Sequence, residues 1–112
     1  MPTYNITQAA GPTNTSATAK PRGVRLKCDP VANSWFDHFE IRRYDTSSDA
    51  SSDTNPTILY EGVNTNVLDS DELTSGEDYF YKWFWIDQYG NRSAAGTTRS
   101  ATYRGVSTAD IE

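Results

Sequence analysis

From Tyr79 to Ile86, seven of eight residues are aromatic or aliphatic, and only Lys82 is charged. A strand sends alternate side chains to opposite faces, so this run puts bulky apolar groups on both. One face can line a core, but the other then needs a cover. The run therefore poses the main question about the chain: whether it closes on itself or on a neighbour.

The flanking sequence favours strands throughout. "GVRLKCD" (23–29) alternates Val24, Leu26 and Cys28 against Arg25, Lys27 and Asp29. Asp29-Pro30 ends it, because proline cannot donate to a ladder. "FDHFEIRRY" (36–44) places Phe39 and Ile41 inward, with His38, Glu40 and Arg42 outward. "NTSATA" (14–19), "TILYEG" (57–62), "NVLD" (66–69), the long strand 78–87 and a last strand around 97–104 complete seven. The twelve small or polar residues "DTSSDASSDTNP" (45–56) predict a solvated, mobile loop. No segment has a sustained helical period. Seven short strands in 112 residues predict an all-β, seven-stranded antiparallel sandwich, with a small barrel as the rival. The expected layout is a linker or leader over 1–11, a domain over 12–104 and a C-terminal linker over 105–112.

Several classes find no support. A net charge of −5 gives little electrostatic reason to bind nucleic acid or an anionic membrane. No apolar run is long enough to span a bilayer. The opening "MPTYNITQAA" lacks the features of a signal peptide. The single cysteine, Cys28, leaves no internal disulfide and no cysteine-based zinc cluster. No metal or other cofactor is expected. Asp45, Asp49 and Asp53 recur every four residues, but the calcium-loop glycine and closing glutamate are missing, so a solvated loop is expected. His38, the one imidazole, has no partner set suited to catalysis, and no serine sits in a Gly-x-Ser-x-Gly elbow. No catalytic residue is assigned. The tripeptides at Asn5, Asn14 and Asn91 match the glycosylation acceptor and are read as chance in an Asn/Ser/Thr-rich chain.

The stretch "LTSGEDYFYKWFWIDQYGNRSAAG" (73–96) resembles the C-terminal half of a fibronectin type III domain. Leu73, Gly76 and Tyr79 fit its pattern, and Trp83 and Trp85 stand where Val and Ala are usual. The Asp87, Gly90, Asn91 and Ser93 pattern is similar to bacterial and phage versions. The first half matches more loosely, with Cys28 where a core Trp is common and Phe39 at a usual Tyr. Trp83 and Trp85 would then restore the core volume that Cys28 gives up. The resemblance implies an immunoglobulin-like fold over 12–104, with Tyr79 as a tyrosine corner. Parity then assigns Tyr79, Tyr81, Trp83 and Trp85 to the core and Phe80, Lys82, Phe84 and Ile86 to the outer face. The resemblance also implies a sheet in which Lys82 can pair with Glu40 and Arg42 can lie over Phe84. Either such long side chains roof the stripe, or Phe80, Phe84 and Ile86 form a packing interface with a neighbouring domain or subunit.

The topology also implies that loops 30–35, 62–66 and 87–96 gather at one end. They carry Asn33, Trp35, Asn64, Asn66, Gln88, Tyr89, Asn91 and Arg92. Aromatic faces beside amides suit sugar rings and hydroxyls. The competing expectation is that Trp35 plugs the open end of the core while the asparagines form turns. In style, the strand, the loop and the exit "GVSTADIE" resemble type III domains of phage tail-tip or host-specificity proteins. That implies a non-enzymatic spacer and adhesion module in a virion. Its partners would be neighbouring tail domains or subunits, and a host-surface glycan or protein. The runner-up is an accessory module of a secreted, extracellular bacterial glycan-active enzyme; a cell-surface receptor domain fits less well.

Overall fold

The computed structural model describes residues 9–70 and 72–105. The leader over 1–11 and the linker over 105–112 fall mostly outside the described residues, as does the Asn5 tripeptide. Residues 9–11, expected in the leader, already pack on the domain. The Ala9 carbonyl accepts from the Ala94 N–H at 2.8 Å, and the Trp85 indole donates to the Ala10 carbonyl at 2.9 Å. A Cβ on Gly11 would stand 2.5 Å from the Ala94 carbonyl oxygen, so only glycine permits this approach.

Two antiparallel sheets face each other. The first orders β1 (Ser16–Lys20), β2 (Gly23–Lys27) and β5 (Asn66–Asp69) as β1-β2-β5. The second orders β4 (Thr57–Gly62), β3 (Phe36–Tyr44), β6 (Asp78–Asp87) and β7 (Arg99–Thr102) as β4-β3-β6-β7. This is the expected seven-stranded sandwich of the immunoglobulin-like class. The core holds Val24, Leu26 and Cys28 from one sheet and Phe39, Ile41, Tyr79, Tyr81, Trp83 and Trp85 from the other. These are the inward sets that strand parity selects. The Tyr79 hydroxyl accepts a hydrogen bond from the Thr74 N–H at 2.7 Å, tying the start of β6 to the preceding turn. Leu73 packs against the core edge, and Gly76 turns the chain with φ +89°.

A buried ionic group joins the sheets. Asp69, on β5, is 1% exposed. It accepts from the Arg43 guanidinium at 3.0 and 3.1 Å and from the Tyr81 hydroxyl at 2.8 Å. Arg43 also lies over the Tyr79 ring, 5.4 Å from its centre. Burial first, then the Asp69 charge, pushes the Tyr81 phenol up.

The stretch 45–56 corrects the expected mobile loop. It contains a helix, α1 (Ser47–Ser52), capped at both ends. The Thr46 hydroxyl accepts from the Asp49 N–H at 3.0 Å, satisfying a free amide of the first turn. Asp53 takes a left-handed conformation at the C-terminus, and its N–H reaches the Ala50 carbonyl. Ala50 is buried, and the helix lies against β3 and β6. Asp53 fastens it there, accepting from Arg42 at 3.0 and 2.9 Å and from the Tyr44 hydroxyl. Asp53, weighed above as a calcium ligand, is thus held by Arg42 and Tyr44.

Cationic side chains of the chain itself lie over the second face. Phe84 is only 5% exposed. The guanidiniums of Arg42 and Arg92 lie over its ring, 5.2 and 4.7 Å from the centre. Lys82 sits over the Tyr44 ring at 5.7 Å, so Glu40 pairs with Arg42 rather than with Lys82. Phe80 and Ile86 are half-buried. The chain's own cations therefore lie over the centre of the stripe of Phe80, Phe84 and Ile86. An interface there would have to displace them.

Candidate functional site

β3 begins and β6 ends at the same edge of the sandwich, where Phe36 pairs with Asp87. The loops before and after these strands are stitched together by the Gln88 N–H, which donates to the Trp35 carbonyl at 2.8 Å. The 62–66 turn is tied instead to the end of β2, where the Cys28 N–H donates to the Thr65 carbonyl at 3.0 Å. Two of the three loops predicted to gather thus share a hydrogen-bonded frame.

Trp35 and Tyr89 stand on this frame. Trp35 is 57% exposed and Tyr89 74%. Their ring centres lie 5.9 Å apart and the planes meet at 86°. Trp35 does not plug the core end, as one expectation had it; the Trp85 indole and the 9–11 segment occupy the neighbouring core edge. One device holds both residues. The Asn33 carboxamide oxygen accepts from the Trp35 N–H at 2.8 Å, and the Asp87 carboxylate accepts from the Tyr89 N–H at 2.8 Å. In each case a short polar side chain binds the amide two residues on, a turn these residue types favour.

Asp87 is used further. It accepts from the Asn91 N–H at 2.9 Å and from the Asn91 side chain at 3.1 Å. These bonds, the Asn91 amide foremost, hold its carboxyl below the usual carboxylate range. Gly90 completes the turn at φ +87°, a conformation other residues adopt only under strain. Ser93 re-enters the sheet, its hydroxyl accepting from the Trp85 N–H at 2.9 Å.

The eight candidate loop residues therefore divide. Asn33 and Asn91 build the turns, and Arg92 folds back over Phe84. Asn66 lies on β5 and accepts from Arg25 at 2.9 Å, while the Asn64 N–H donates to the Tyr60 hydroxyl at 2.9 Å. Trp35, Gln88 and Tyr89 are exposed on the two stitched loops, and the Asn64 side chain is exposed on the 62–66 turn. At the far end of β3 and β6 lies a groove of about 480 Å³ walled by Asp45, Glu72, Glu77 and Asp78, with Arg43 and Tyr79 at its edge. Its carboxylates come from three separate segments, so no local sequence pattern marks it. The structural use of Asp87 has a local signal, an Asp two residues before an exposed aromatic, which is a recognisable turn pattern.

No protein-family model matches the chain, and no curated protein matches it. Solved structures do. A Fn3-like protein from Clostridium thermocellum superposes with a TM-score of 0.68 at 17% identity, covering 90% of this chain and 99% of that one. The sixth fibronectin type III domain of human fibronectin type III domain containing protein 3 gives 0.67 at 8% identity, covering 94% and 93%. A β-1,2-glucanase from Parabacteroides distasonis gives 0.70 at 17% identity, covering 95% of this chain but only 15% of the enzyme. The chain has the fibronectin type III fold. At these identities the likeness concerns the fold and not the activity.

Proposed function

We propose that this chain is a non-enzymatic spacer and adhesion module, and that its contact surface is the loop end carrying Trp35 and Tyr89. The observation that carries the reading is the pair itself. Two large aromatics are kept exposed on loops whose amides are individually tied down, whereas the long aromatic stripe of β6 is covered. Exposed aromatics on rigid loops are the usual anchors of contact surfaces. The module belongs, on this reading, to a phage tail or tail-tip protein that recognises its host, and so to a virion. The Asp87-x-x-Gly90-Asn91-x-Ser93 turn supports that context by its similarity to phage and bacterial type III domains.

A second reading has its own support. The superposable part of the Parabacteroides glucanase is a small fraction of that enzyme, so this fold can accompany a catalytic unit. The chain would then be an accessory module of a secreted bacterial glycan-active enzyme.

Fluorescently labelled protein applied to a panel of bacterial cells tests the contact role. Saturable adhesion that a Trp35→Ala/Tyr89→Ala double variant loses is the expected result. Adhesion that survives the double variant, or no adhesion to any strain, would overturn the assignment of this end. The coding sequence on either side separates the two contexts: tail-type segments support the first and a hydrolase domain the second.

A further inference from the structure

We infer that the Trp35–Tyr89 corner is a subsite for one pyranose ring of a neutral glycan. The inference rests on the contact role proposed for this end and adds the chemical class of the partner. Three observations carry it.

The first is shape. Two rings packed edge to face at 86°, with centres 5.9 Å apart, brace each other as a corner and stay 57% and 74% exposed. A sugar ring has an apolar face of axial C–H groups and a rim of hydroxyls. Laid on one aromatic ring, its C–H face loses water while its edge meets the second ring. Trp and Tyr suit this task because each combines a large apolar face with a polar tip. Among the described residues, neither the Trp35 indole N–H nor the Tyr89 hydroxyl hydrogen-bonds to protein, so both are available to hydroxyls of such a guest.

The second is charge. The Asp87 carboxylate is taken up by Tyr89 and Asn91, and Arg92 is turned away onto Phe84. Asp87 stays anionic at neutral pH, and among the described residues no cation is shown beside the corner. The Gln88 amide reaches the Ser34 carbonyl only at 3.4 Å, a weak bond that a hydroxyl can replace. An uncharged amide beside two aromatic faces reads hydroxyls. A phosphate or carboxylate ligand would meet no cation there, which argues against an anionic glycan.

The third is preorganisation. Weak sugar contacts cannot compensate for the ordering of floppy loops, because each immobilised side chain costs free energy on binding. Here the Asn33 and Asp87 turns and the Gln88–Trp35 bond set the two backbones before any ligand arrives.

Titrating the full chain with neutral oligosaccharides of glucose, galactose, mannose and N-acetylglucosamine, read by NMR, tests the assignment. Saturable shifts of the Trp35 indole N–H and of Gln88 and Tyr89 are expected, with those of Trp83 and Trp85 unmoved. Trp35→Ala and Tyr89→Ala should each weaken binding about tenfold or more, and Gln88→Ala by less, with the Trp83 and Trp85 signals retained as a check of folding. No saturable shift at millimolar sugar would overturn the inference, as would a preference for uronate or sialylated oligosaccharides. If cells still adhere through Trp35 and Tyr89 while every sugar fails, the contact role stands and the glycan class falls. If both fail, the contact role falls as well.

Discussion

Asp69 and Arg43 bind across the two sheets in a site from which water is nearly excluded, so neither can lose the other cheaply. Removing one partner of such a pair leaves a buried charge without its counter-ion. Asp69→Ala should therefore destabilise the domain by about 3–5 kcal/mol in urea unfolding. The double change Asp69→Leu/Arg43→Met should recover much of that loss, because apolar packing replaces the pair rather than breaking it. A single variant within 1 kcal/mol of wild type, as an exposed pair would give, would mean that the pair is open to solvent. The position of this pair was legible in principle. Parity puts Asp69 on the face of Val67, and Arg43 on that of Phe39 and Ile41. The charged residues were not read that way because a charge at a strand end is ordinarily a solvated one.

The strands were legible as elements because alternation and turn residues mark them independently, and Thr57–Gly62, Asn66–Asp69 and Asp78–Asp87 fall where the pattern places them. The helix α1 was not. It has one buried residue, Ala50, so no apolar period exists to detect; its signal is the cap Thr46 with Asp49 three residues later. The helix is fastened by Asp53, and that makes its anchorage sensitive to acid. Burial alone would raise the Asp53 carboxyl, but bonds from Tyr44 and Arg42 and the charge of Arg42 outweigh it and hold it below the ordinary value. A carboxyl lowered on folding contributes its full stability above the unfolded value of about 4, and loses it as the pH falls through the lower folded value. Denaturation midpoints measured from neutral pH into acid should fall in that window. Asp53→Asn should flatten part of the fall, the remainder belonging to groups such as Asp87. Identical acid limbs in the two proteins would show that Asp53 does not fasten the helix.

At the scale of the molecule, one surface is closed and another is open. Which sheet residues face outward was legible from parity once Tyr79 fixed the register, but whether that face was bare was not. Its cover comes from two guanidiniums over Phe84, Arg42 of β3 and Arg92 of the loop after β6, and depends on three-dimensional contacts such as Arg42 to Asp53. At the loop end, the grouping of Trp35, Gln88 and Tyr89 could be expected from topology. Their exposure could not, because an aromatic at a core mouth can turn either way.

If the outer face of β6 is satisfied within the chain, the loop end is the surface left for partners. The most direct measurement is the solution mass by light scattering over a wide concentration series, on the wild type and on Ile86→Glu. A monomer is expected throughout, with Ile86→Glu indistinguishable from it in mass. A dimer or trimer that Ile86→Glu dissociates would contradict it, and would make the covered stripe an assembly surface after all.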